Sequence, residues 1–487
     1  MKRREKYDPV APSKGWPGKG GGRVGHIESG SIYLGTSNQV AGLFPFVQAN
    51  GLPASGVPLG RDLLTNELVC LDPPGWVGTM TANPGVWVQA APGVGKSAAA
   101  KRLMTGLSAL GYLALNPGDA KGEYSGVVQA LGGQVIRIGR GLDRINPLDA
   151  GPMGRMLLRL EPAAREALTA EISGRRSELL TALLAGPHGL DRRPDAVERY
   201  ALDAAVRVLT ARHAGGADPT IPDVIALLRT PPQELCDQLQ VADTMGAWGI
   251  TGQLAFGLEN LCSGPLAGLF DGPTSTPVKL TSRAISVDLS GLLPAGDHVV
   301  AAGMMAGWAY TYGTLDAAAA LGIATRPMVI VLDELWRALR AGTGMVDSFD
   351  ALTRLNRAKG AVTVMVTHSL RDLEALPNAA DRAKAAGLME RCDTVLLGAS
   401  SPNELAAIAQ RRPLTGEEMR LVASWAAPTG TAVEGLDTPH PGRGKLLVKI
   451  GHRIGVPTQM MLTAAELAHY DTDAAMRRRP VGAGASR

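Results

Sequence analysis

Eight residues, Ala90-Ala91-Pro92-Gly93-Val94-Gly95-Lys96-Ser97, have the spacing of a phosphate-binding loop. In such a loop small residues let backbone N–H groups wrap a β-phosphate, a lysine reaches the β- and γ-phosphates, and a hydroxyl ligates Mg²⁺. Lys96 and Ser97 fill the last two roles. Gly85 to Gln89 reads as a buried strand entering the loop, and Ser97 to Leu110 as a helix leaving it with its N-terminus aimed at the anion. Ala90, Ala91, Pro92, Gly93, Val94, Gly95, Lys96, Ser97 and Ala98 are therefore the candidate nucleotide contacts. One residue departs from the pattern. Ala90 stands where the motif has its first glycine, and its methyl group excludes backbone conformations at positive φ.

A second constellation lies far along the chain. Met328-Val329-Ile330-Val331-Leu332 is apolar enough for a strand buried on both faces, and Asp333-Glu334 follows at its C-terminal end. That is the sheet edge at which ligands of open α/β folds bind. Asp333 is expected to hold the Mg²⁺ shell and Glu334 to polarise the attacking water. An acidic pair closing a strand is common by itself; joined to a phosphate loop it points to nucleotide hydrolysis. Thr367-His368 closes the next strand, where His368 could sense the γ-phosphate or simply be a satisfied polar residue. Arg354, Arg357 and Lys359 precede that strand. A cation there can reach a neighbouring subunit's γ-phosphate as an arginine finger, with Arg357 preferred over Arg354.

These side chains need a scaffold, and composition bounds it. The chain has 487 residues, 45% of them apolar but only 4% aromatic, so its core rests on Ala, Leu, Val, Ile and Met. A net charge of +4 is mild for a dedicated nucleic-acid binder. Cys70, Cys236, Cys262 and Cys392 lie far apart and read as buried, reduced thiols of a cytoplasmic protein. The basic N-terminus has no apolar core behind it and does not read as a signal peptide. Val299 to Leu315 is uncharged but rich in Ala and Gly, which favours a buried helix over a membrane span.

Residues 1–28 carry seven lysines and arginines among Gly and Pro and read as a disordered basic arm. Residues 29–80 hold a small β-element, with Val57 to Gly60 and Leu68 to Asp72 as its two sides. Strands at Tyr112 to Leu115, ending in Asn116-Pro117-Gly118-Asp119, and at Gln134 to Ile138 alternate with helices, the pattern of a parallel sheet covered on both faces. From 151 to 275 the sequence turns helical. Leu168, Ile172, Leu179, Leu180, Leu183 and Leu184 recur at helical spacing, as do Val197, Ala201, Ala204, Ala205 and Val208 after a capping-box start at Asp195 to Glu198. The α/β pattern resumes with strands at 284–289, 328–332, 361–366 and 393–398 and a hairpin at 445–462. The expected architecture is an α/β core at 81–150 and 276–462, an inserted all-α domain at 151–275, and a closing helix with a basic tail at 463–487, bearing Arg477, Arg478 and Arg479.

Several motifs are more specific than a phosphate loop. Asp119-Ala-Lys121-Gly122-Glu123-Tyr124, Leu131-Gly132-Gly133, Ile145-Asn146-Pro147-Leu148-Asp149, Pro265 to Gly272 and Asp333-Glu-Leu-Trp336 stand in that order. Together with Arg357-Ala-Lys-Gly-Ala ahead of Val366-Thr-His, this run resembles the type IV secretion and conjugation ATPases, the VirB-type, TraC-like branch of the FtsK/HerA superfamily. The similarity covers roughly residues 55–470. It implies a RecA-like P-loop core, ATP and Mg²⁺ as cofactors, Asp119 and Glu123 within the nucleotide site, and a homo-oligomer, a hexamer with ATP sites between subunits. It also implies secretion or conjugation channel components as partners, and a cytoplasmic or peripheral position at the inner face of the membrane. Contact with DNA or an anionic membrane is expected of the basic termini.

The departures from the family are that only 89 residues precede Ala90, where relatives carry a large N-terminal domain, and that His368 stands where many have Gln. A DNA pump or coupling protein of the same superfamily is the rival reading. An ATP-gated scaffold with little turnover is the alternative of another class. Intact Lys96, Ser97, Asp333 and Glu334 oppose the scaffold and Ala90 favours it.

Overall fold

Val329 and Val331 enter one apolar core and Met328, Ile330 and Leu332 another, because successive residues of a strand point to opposite faces of its sheet. The same division holds for Val86 and Val88 against Trp87, and for Val362, Val364 and Val366 against Met365. The sheet is thus buried on both sides, as a parallel sheet must be.

The computed structural model describes residues 51–470, apart from 215, 321, 323–325, 341–345, 347–359, 375, 377–378 and 427–439. The basic segments at 1–28 and 477–479, Arg354 and Arg357 lie outside the described residues. Eleven strands form one sheet. They are β1 (Val57–Asp62), β2 (Leu68–Leu71), β3 (Val86–Gln89), β4 (Leu113–Asp119), β5 (Gln134–Arg137), β6 (Ala284–Asp288), β7 (Met328–Leu332), β8 (Val362–Thr367), β9 (Thr394–Leu397), β10 (Lys445–Ile450) and β11 (Val456–Met460). Their order is β2-β1-β11-β10-β9-β3-β8-β7-β4-β6-β5. From β9 to β5 every pairing is parallel, and from β9 outward through β10, β11, β1 and β2 every pairing is antiparallel. The expected α/β sheet is therefore present, and both hairpins read from the sequence extend it as antiparallel strands.

Helix Lys96–Ala109 covers one face through Ala99, Ala100, Leu103, Met104 and Leu107. It lies so close to β1 that a Cβ on Gly106 would meet Val57 Cγ1 at 2.4 Å. Helices Pro162–Ala185, Ala196–Arg212, Ile221–Arg229 and Thr244–Leu261 fall between β5 and β6 and join the core of the other face. Leu179, Leu180, Leu183 and Leu184 are buried as their spacing predicts. Val197 is not: it is 56% exposed, in the first turn, where its amide bonds the Asp195 carboxylate. Helix Asp297–Ala320 contains the uncharged stretch, and no helix among the described residues is long and apolar enough to cross a membrane.

One strand boundary differs from expectation. β4 continues through Asn116-Pro117-Gly118 as far as Asp119, past the Tyr112–Leu115 strand expected to end in that segment. The pairing with β6 shifts register between Asn116 and Asp119, and Asn116 Oδ1 accepts the Gly118 amide at 3.2 Å. Such an irregularity absorbs a proline, which cannot donate to the ladder.

Candidate nucleotide site

Because β3, β8, β7 and β4 are parallel neighbours, their C-terminal ends meet along one edge. They bring residues 90–97, Thr367 and His368, Asp333 and Glu334, and Asp119 to the same place. The phosphate loop there is shaped by backbone. Its left-handed positions are Gly93 (φ 74°) and Gly95 (φ 113°), and Ala90 is not among the residues with positive φ. Ala90 is fully buried, and its methyl group occupies room left by Gly398: a Cβ on Gly398 would lie 2.6 Å from it. The loop is tied down at both ends. The Ala91 amide donates to Ala399 O at 2.8 Å and the Gly444 amide to Val94 O at 2.8 Å. Ser97 is half-buried in the first turn of the helix, with Ala98 beside it.

Lys96 is buried and donates to Ala91 O at 2.9 Å. Burial pushes its pKa down to about 8, while the carboxylates of Asp333 and Glu334 act in the opposite direction. This is a lysine held over its own loop, facing two acids.

The acidic side is shaped by side chains. Tyr124 Oη donates to Asp333 Oδ2 at 2.9 Å, and the Glu334 amide donates to Asp333 Oδ1 at 2.9 Å. Glu334 takes φ 55°, a left-handed conformation uncommon for non-glycine residues. Its buried carboxylate is ringed by donors. Lys121 Nζ bonds Oε1, His368 Nε2 lies 3.4 Å from the same oxygen, and Trp336 Nε1 donates to Oε2 at 2.6 Å. Burial pushes this carboxyl up, but the bonds from His368 and Lys121 outweigh it and hold the pKa down to about 2.

The Asp119–Tyr124 segment frames that arrangement. Asp119 accepts the amides of Glu123 and Tyr124 at 3.0 and 2.8 Å, so its carboxylate fixes its own loop. Burial, assisted by Asp288, pushes its pKa up to about 7 against those bonds. Glu123 lies 3.8 Å from Lys101 Nζ. Lys101 is a wholly buried cation stacked 5.2 Å from the centre of the Tyr124 ring, and burial lowers its pKa against the pull of Glu123 and Asp119.

The structure thus gathers Lys96, Asp333, Glu334 and His368 with the Asp119–Tyr124 segment. It adds Lys101, Lys121, Tyr124 and Trp336, which the motif reading did not assign roles. A further buried chain supports the loop: Trp87 Nε1 donates to Gln89 Oε1 at 2.9 Å, Gln89 Nε2 to Glu404 Oε1 at 2.6 Å, and Ser369 Oγ to Glu404 Oε2 at 3.0 Å. It links the strand ahead of the loop to the segment after His368. Gln89 at the end of an apolar strand was the only sequence signal for it.

No protein-family model matches the sequence, and no curated protein resembles it at a significant level. The architecture, however, has a clear counterpart. The chain shares the fold of VirB4. The structure of VirB4 of Thermoanaerobacter pseudethanolicus aligns with a TM-score of 0.61 at 20% identity, over 85% of this chain and 99% of that one. The plasmid coupling protein TrwB in complex with ADP and Mg²⁺ reaches a TM-score of 0.45 at 13% identity. Its complex with the non-hydrolysable ATP analogue ADPNP reaches 0.44 at 14%, each over 78% of this chain and 86% of TrwB. The VirB4 likeness agrees in fold with the resemblance read from the sequence motifs.

Proposed function

We propose that the protein is an Mg²⁺-dependent ATPase, the motor of a conjugative transfer or type IV secretion system. The observation that carries this reading is the convergence of Lys96, Asp333 and Glu334 at one edge of a sheet whose fold is shared with VirB4. Backbone amides of residues 93–97 receive the phosphates and Lys96 turns from Ala91 O to the β- and γ-oxygens. Ser97 and Asp333 would hold Mg²⁺ through hard oxygen donors of the kind it takes, and a bound ion would supply neutralisation of phosphate charge. Glu334, ionised and fixed, polarises water, with His368 beside the same oxygen as a sensor of the γ-phosphate.

In this reading the protein works as a homo-oligomeric ring, a hexamer, in which Arg357 or Arg354 of one subunit completes the neighbour's site. Channel components dock on the ring at the inner face of the membrane. The basic residues of 1–28 and Arg477 to Arg479 add salt-sensitive contact with DNA or anionic lipid. Phosphate release, measured with and without DNA on protein of known mass in solution, tests it. Turnover is expected for the wild type and none for Lys96→Ala. Arg357→Ala is expected to lose about 10³-fold and to recover in part when mixed with Lys96→Ala. A protein that binds ATP yet releases no phosphate would be the ATP-gated scaffold instead.

A further inference from the structure

Glu334 already holds donors on both of the oxygens that could polarise water. A carboxylate has about four acceptor positions on two oxygens. Oε1 is taken by Lys121 and approached by His368, and Oε2 is taken by Trp336, with Arg337 Nε at 3.8 Å. A donor that withdrew from Oε1 would free that oxygen for water.

Lys121 is the donor built to do so. Its side chain is 41% exposed, whereas Glu334 is 6% exposed. It is a flexible, unbranched ammonium, and any terminal phosphate offers it more negative charge than one carboxylate. The backbone that carries it does not need to move. Asp119 holds the Glu123 and Tyr124 amides, Tyr124 is buried with its hydroxyl on Asp333, and Gly122 makes the turn at φ 71°.

We propose that Lys121 is a γ-phosphate contact that passes from Glu334 to the terminal phosphate of a bound nucleoside triphosphate, uncovering the carboxylate oxygen that polarises water. The proposal rests on the nucleotide-site reading and adds an in-chain cation to it. It makes Lys121 a discriminator between triphosphate and diphosphate.

Affinities for ADP and for a β,γ-imido ATP analogue, with Mg²⁺ present, test this without requiring turnover. Lys121→Met is expected to weaken the imido analogue by about tenfold or more, the scale of a hydrogen bond to a charged group, and to leave ADP unchanged. Lys121→Arg should retain most of the difference. No loss for either ligand, or equal loss for both, overturns the proposal. A wild-type protein that binds neither nucleotide overturns the site reading itself, a distinguishable result. The hand-over is tested by a double-mutant cycle. In a Glu334→Gln background no ion pair competes for Lys121, so Lys121→Met should weaken the imido analogue at least about threefold more than it does in the wild type. An effect of equal size in the two backgrounds overturns the hand-over.

Discussion

Along residues 90–97 the chain offers backbone amides framed by Gly93, Gly95 and Gly398, and only one charged side chain. Across the groove, Asp333 and Glu334 are framed by the side chains of Tyr124, Lys121, Trp336 and His368. A site made of main chain tolerates many side chains but is closed by a single misplaced Cβ. One made of side chains tolerates a shifted backbone but not a lost donor. The two sides should therefore fail in different ways, in structure on one and in rate on the other.

The largest effect is expected where the sides meet. Glu334→Gln should lower the hydrolysis rate by about 10²–10⁴-fold, the usual contribution of a general base, while equilibrium binding of ATP persists. Wild-type turnover in that variant would remove Glu334 from the chemistry. Gly398→Ala sharpens the contrast from the loop side. Its new Cβ meets Ala90 at 2.6 Å, and overpacking of that kind costs about 1–3 kcal/mol, read as a lower melting temperature and weaker ADP binding together. Adding Ala90→Gly removes that contact, leaving Val94 Cγ1 at 3.2 Å, and should recover most of both losses; no recovery would mean that the contact is not what shapes the loop.

Trp336→Phe deletes the bond to Glu334 Oε2 and leaves a smaller aromatic ring beside Arg337. The rate should fall about tenfold, in line with one hydrogen bond to a charged group, with the melting temperature unchanged. A loss of stability without a loss of rate would reverse the comparison. The smallest effect belongs to Tyr124→Phe, which frees Asp333 Oδ2. A rise of a few-fold in the Mg²⁺ concentration needed for half-maximal turnover is expected, on the scale of a neutral donor. No change across a Mg²⁺ titration would show that Asp333 is positioned by the Glu334 amide alone.

The same contrast explains what could be read before folding. The loop and the strands around it were legible because their signals are contiguous: an apolar run, small residues, then Lys96-Ser97. So was Asp333-Glu334 at the end of β7. Of the donors around those carboxylates His368 was legible, at the end of the next strand, but Lys121 was not, since it meets Glu334 across 213 positions of sequence; nor was the support of the loop, where Gln89 meets Glu404 across 315. The strand read over Tyr112 to Leu115 was expected to end in Asn116-Pro117-Gly118-Asp119, since proline and glycine usually break strands, and the shift against β6 shows how a strand carries them. Val197 matched a helical stripe by spacing, yet its place in the first turn, over the Asp195 cap, leaves it facing water.

Ala90 and Gly398 also have a bearing on descent. One methyl group fits between the start of the phosphate loop and the end of β9, and this lineage carries it at position 90. A sister lineage could inherit it at 398, with glycine at 90, and build the same loop. Neither residue can then be judged alone as preserved or lost, because selection acts on the pair. Substitutions at the two positions should be correlated across relatives, and an intermediate with alanine at both should be rare. A pattern written along one stretch of chain would score Ala90 as a defect, although Gly398, 308 positions downstream, leaves the room its methyl group fills.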